Sequence, residues 1–135
     1  MNPRKIELAT SILYLCEEEC GDNATAPSFY APHLNRLTDE FYQWADRLEA
    51  AIVKANLGAL SLDDLWPGRI ELVYLCVRLG HGVGFNDHFR SESAEYKIGT
   101  LARQYAKEQP HIEDGAYLGD DGVIYLYNYH TASNV

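Results

Sequence analysis

Basic residues are in short supply: 11 lysines and arginines stand against 20 aspartates and glutamates, a net charge of −9 with histidine neutral. A surface of that sign repels phosphate, which argues against direct DNA or RNA binding through a basic groove and favours neutral or basic partners. An acidic mimic of nucleic acid fits the same balance, but Arg and Lys interrupt the carboxylates on most segments, as solubility alone requires. Cysteine is equally scarce. Cys16, Cys20 and Cys76 are an odd set, which excludes a disulfide framework built on pairs and leaves reduced thiols. Cys16 and Cys20 lie four apart on one expected helix, yet no second Cys or His pair is near enough in sequence to complete a metal site. We therefore expect packed thiols, no metal and no cofactor. No run of eighteen apolar residues exists, so no membrane span is expected. Residues 1–5 lead into an amphipathic segment carrying Glu7 rather than into a signal-peptide core, and the expected location is the cytoplasm.

What is present is apolar residue: 47% of 135, enough for one core and most simply one domain over residues 1–135. The first helix is expected over about residues 3–20, capped by Asn2, with Ile6, Ala9, Leu13, Cys16 and Cys20 turned inward and Gly21 as its stop. Glu17, Glu18 and Glu19 then fall at the negative end of its dipole, an unfavourable place. A longer helix, about residues 32–57, carries the stripe Leu34, Leu37, Phe41, Trp44, Leu48, Ala51 and Ala55, with Gly58 to end it. Ser61 to Asp64 looks like a helix start that Pro67 and Gly68 interrupt. Either one turn stands alone there or the next helix begins at Pro67.

Residues 70–79 are apolar on nearly every side, with only Glu71 and Arg78 charged, so this helix is expected to be buried at the centre of the fold. It runs into Gly80, His81, Gly82, Val83 and Gly84, a loop whose glycines permit positive φ. Glu71, Tyr74, Arg78 and His81 are spaced by three, four and three, which lines them up on one helical stripe. A buried Arg78 needs an acceptor, and Glu71 is the one on its own side. His81 could then act as a general base with Asp87 or Glu71, or join Asp87 and His88 on a metal. The plainer reading has His81 bonding the helix's last carbonyls and Asp87 bracing the loop, and it is the one we adopt. His-x6-His is no compact ligand spacing. Nor do the glycines make a phosphate loop, because they follow a helix and no GK[ST] is present.

A fourth helix is expected over about residues 94–109, with Ile98, Leu101, Ala102 and Tyr105 inward and Pro110 closing it. From residue 112 to 129 the period changes to two around the turn Gly119, Asp120, Asp121, Gly122, which reads as a hairpin. Tyr125, Tyr127 and Tyr129 share one face of its second strand. That face is either a wet edge of the core or a binding surface. The fold expected is α+β, about four helices packed around a central buried helix, with a C-terminal antiparallel β-hairpin.

Arg78, Gly80-His81-Gly82, Gly84-Phe85 and Asp87, followed after a helix by Tyr117, Gly119-Asp120-Asp121-Gly122 and Tyr125, resemble a family of small bacteriophage proteins. Those proteins carry R-x-G-H-G-x-G-F-x-D, a helix, and then Y-x-G-D-D-G-x-I-Y. The resemblance covers about residues 72–127, and here Leu79, Asn86 and His88 stand where the family has Asn, Trp and Arg. It implies a phage or prophage origin and no particular activity. For a small acidic accessory protein of that origin, the expected role is to bind and modulate a host protein, such as a factor of defence or nucleic-acid processing. The expected binding residues are Arg78, Gly80, His81, Gly82, Gly84, Phe85, Asp87, Tyr125, Tyr127 and Tyr129. The alternatives are a small hydrolase or transferase using His81 with Asp87 or Glu71, and the acidic mimic.

Overall fold

A computed structural model describes residues 2–21, 23–58, 61–80, 84–110, 112 and 115–126. Its elements run α1 (Pro3–Leu15), α2 (Glu17–Cys20), a 3-10 turn (Ala26–Ser28), α3 (Ala31–Lys54), α4 (Leu62–Leu65), α5 (Ile70–Arg78), α6 (Ala94–Glu108), β1 (Ala116–Leu118) and β2 (Ile124–Leu126). This is an α+β fold, with two one-turn helices added to the four long ones expected. Each long helix borders two others: α5 lies against α1 and α6, and α3 lies against the same pair. The buried apolar residues form a continuous cluster that takes in all four helices and the hairpin.

The first helix departs from expectation. Asn2 caps it, its Oδ1 accepting the Arg4 amide at 2.7 Å, but the helix breaks at Cys16, where ψ turns to 35°. The Cys16 thiol accepts the Ala116 backbone amide, which ties this corner to β1. Glu17, Glu18 and Glu19 consequently open α2 rather than closing a long helix. Their dipole interaction is favourable, the reverse of the expected sign. The buried face of α1 is Leu8, Ala9 and Ile12, while Ile6 is 39% exposed. Gly21, at φ 83°, ends α2.

On α3 the expected stripe holds through Leu48 and then shifts to Ile52, leaving Ala55 exposed. Asn56 rather than Gly58 stops the helix. It sits at φ 54°, its amide bonds Val53 O at 3.1 Å, and the Leu57 amide bonds Ile52 O at 3.1 Å. That pair of bonds is the Schellman arrangement, which satisfies the last carbonyls. The turn at α4 stands alone, and α5 begins after it at Ile70. On α5 every residue but Leu72 is buried, as its composition predicts.

The inward face of α6 is Ile98, Gly99, Ala102 and Ala106, with Leu101 and Tyr105 only partly buried. Gly99 has a specific reason to be glycine: a Cβ there would lie 2.9 Å from the Phe85 carbonyl oxygen. The absent side chain lets the 84–89 segment rest its backbone on the helix. The hairpin pairs Ala116 with Leu126, Tyr117 with Tyr125 and Leu118 with Ile124, and Gly122 turns at φ 80°. Its strands are only three residues long, so packing must hold them. Ile124 and Leu126 are fully buried, the Tyr30 amide bonds Ile124 O at 2.7 Å, and the Leu126 amide donates to His33 Nδ1 at 3.0 Å.

Candidate functional site

The two charged residues of α5 do not pair with each other. Arg78, with its side chain fully buried, extends Nη2 to Glu40 Oε1 on α3 at 3.0 Å. Nε and Nη2 both donate to the Pro110 carbonyl, at 3.0 and 2.8 Å, and Nη1 donates to the Tyr74 hydroxyl at 2.8 Å. The Tyr74 hydroxyl donates in turn to Gln109 Oε1 at 2.5 Å, and Gln109 Nε2 reaches the Glu40 carbonyl at 2.7 Å. Burial pushes the Tyr74 phenol well above its ordinary range. The expectation that Glu71 accepts from Arg78 is corrected: Glu71 is ion-paired with Arg4, which also bonds Asp63 at 3.1 Å. Spacing along one helix put Glu71 and Arg78 on one stripe, but α1 and α3 each bring the nearer partner.

Gly80 ends α5 at φ 79°, its amide on Val77 O at 3.1 Å. His81, Gly82, Tyr127 and Tyr129, all expected binding residues, lie outside the described residues. Beyond them the chain is braced at successive residues. Asp87 Oδ2 accepts the Gly84 amide at 3.2 Å, which is the bracing role read from the sequence. Phe85 is buried, its ring stacked on Trp44 at 5.5 Å and set edge-on to Trp66 at 4.9 Å. The Trp66 indole donates to Phe85 O at 3.0 Å. Asn86 Nδ2 donates to Tyr96 O at 2.7 Å and to Thr100 Oγ1 at 3.0 Å. His88 Nε2 meets Arg69 Nη1 at 3.0 Å on the surface. Phe85 and Arg78 are therefore interior residues, and Asp87 and His88 are exposed ones.

The tyrosine face is a second assembly. Tyr30, from the start of α3, lies 5.2 Å from the Tyr125 ring, and Tyr117 stacks on Tyr125 at 5.6 Å. Tyr125 donates its hydroxyl to Asp121 Oδ2 at 2.5 Å, and this bond pushes the phenol up to about 12 while holding the Asp121 carboxyl below the usual carboxylate value. Tyr30 and Tyr117 are not among the binding residues expected from the sequence. Tyr117 was findable, because it faces Tyr125 across the hairpin turn. The thiols are all buried, and burial raises each of them, Cys20 to about 11, so none is a ready nucleophile near neutral pH. Among the described residues no three His, Cys, Asp or Glu side chains gather as metal ligands, and no helix is long and apolar enough to cross a membrane.

Fold and site together define a small acidic α+β protein with a braced 84–89 segment following its buried helix and a tyrosine cluster where its hairpin meets the start of α3. No family model, no curated protein and no solved structure matches the chain.

Proposed function

We propose that the protein is a small phage or prophage accessory protein that acts in the bacterial cytoplasm by binding and modulating a host protein, such as a defence or nucleic-acid-processing factor. The observation that supports this reading is the cluster Tyr30, Tyr125, Tyr117, with Tyr117 stacked on Tyr125, Tyr30 tilted against it and 38% exposed. Tyrosine gives large contact area at low entropic cost, and it is enriched where protein interfaces concentrate their energy. The Asp121 bond fixes the Tyr125 ring in advance, which lowers the cost of ordering it on binding. With a net charge of −9 the partner surface is neutral or basic.

Catalysis by His81 with Asp87 or Glu71 has less to stand on, since Glu71 is committed to Arg4 and Asp87 to the Gly84 amide. An acidic mimic would bind through charge, so its complex would weaken steeply with salt. The test is capture from host lysate by the wild type beside a Tyr30→Ala, Tyr125→Ala double variant. One host protein retained by the wild type, lost with the variant and tolerant of moderate salt supports the reading. Equal capture by both overturns it.

A further inference from the structure

The 84–89 segment and the residues around the start of α5 enclose a small pocket that the tyrosine face does not share. Trp66, Val73, Phe85 and Phe89 are among its walls, with Arg69 and His88 at the rim, and its volume is about 130 Å³. Pockets for whole small-molecule ligands run to roughly 300 Å³ or more, whereas an apolar cavity of about 150 Å³ holds one benzene ring. The pocket therefore has room for a single aromatic or branched side chain. Its walls are set in advance: Trp66 and Phe85 are both buried and joined by the 3.0 Å indole bond.

The rim adds a charge. Arg4, Arg36, Arg47 and Arg78 are each ion-paired with a carboxylate. Among the described residues no carboxylate lies within 4 Å of the Arg69 guanidinium, whose bond goes to the His88 ring nitrogen. An arginine fork without an acid, at the mouth of an apolar pocket, is matched by a ligand carboxylate one or two bonds from an apolar group. The chain as a whole carries −9, so it repels a strongly acidic segment and admits one carboxylate at a time. A chain end supplies that combination.

We propose that this pocket captures the C-terminal residue of a partner chain, its aromatic or leucine side chain in the cavity lined by Trp66, Val73, Phe85 and Phe89 and its α-carboxylate on Arg69. The inference rests on the protein being a binder, but it uses a different face from the tyrosines, so either can fail alone. The experiment follows the Trp66 indole and Arg69 Nε signals of the full chain by ¹H–¹⁵N NMR. The probes are an acetylated Gly/Ser peptide ending in Phe with a free carboxylate, the same peptide as its C-terminal amide, and 3-phenylpropionate. Expected are saturable shifts with the acid, binding of the amide weaker by about tenfold, and loss of that difference in Arg69→Gln. Arg69 is exposed, so the variant should keep its fold, which the unliganded spectrum checks. Equal binding of acid and amide, or no saturable shift at all, overturns the proposal. So does 3-phenylpropionate binding as tightly as the peptide, which would make this a pocket for a small free acid. None of these outcomes bears on capture through the tyrosine face.

Discussion

Two arginines mark the ends of α5, and they are used in opposite ways. Arg78, its last residue, is sealed from water and bonded to Glu40, Tyr74 and Pro110, while Arg69, its N-cap, is exposed and bonded to one imidazole. Burial makes the first indispensable to folding, because a desolvated charge is tolerable only when its partners are all in place. Exposure makes the second nearly irrelevant to folding and available to a ligand. Charge alone does not distinguish a structural residue from a functional one. The number of bonds it already makes does.

The contrast is broken most forcefully at the buried end. Arg78→Met takes away the buried guanidinium that meets Glu40 Oε1 at 3.0 Å. Removing one member of a buried pair costs roughly 3 kcal/mol or more. Urea unfolding should show that loss, and adding Glu40→Gln to Arg78→Met should recover part of it. If Arg78→Met unfolds like the wild type, the network is not what holds α3, α5 and the 109–112 segment together. Arg69→Gln sharpens the same comparison, since its stability should stay within about 0.5 kcal/mol of wild type.

Between these extremes lies the support of the loop. Gly99→Ala gains helix propensity of about 1 kcal/mol but drives a methyl group to 2.9 Å from Phe85 O. Overpacking costs about 1 to 3 kcal/mol, so a net loss of about 1 kcal/mol is expected. The Phe85 and Asn86 amide signals should move with it. A stabilised Gly99→Ala would mean that the 84–89 segment does not rest on α6.

Much of this was legible in the residues. The burial of α5 followed from its composition, the hairpin from its change of period and turn, and the Asp87 brace from its place after a glycine loop. What escaped were the contacts between elements far apart in the chain. Glu40 and Arg78 are 38 residues apart, and no periodicity within one helix reports a partner on another. The Cys16 thiol meets an amide of β1 one hundred residues on. Nothing in the sequence marks Gly99, because the backbone it admits comes from a different segment. The pocket at Arg69 was invisible for the same reason: its walls come from α5 and the segments on both sides of it, and none has a spacing that marks it.

The hairpin gives the smallest effect and the clearest sign. Tyr125 is held near 12 against an ordinary value of 10.0, and a raised pKa means that the folded chain keeps a proton the unfolded chain loses. Its contribution is therefore complete below about pH 10 and disappears as pH climbs through 12. Asp121 runs the other way, its depressed value contributing above the ordinary 3.8 and losing that contribution as pH falls through the folded value. Both groups are solvated, so melting temperature should hardly change in Asp121→Asn, unlike in Arg78→Met. Ultraviolet titration of the phenols is the sensitive readout. Asp121→Asn should bring the Tyr125 transition down toward 10, and an unchanged titration would mean that the ring is not held by that carboxylate.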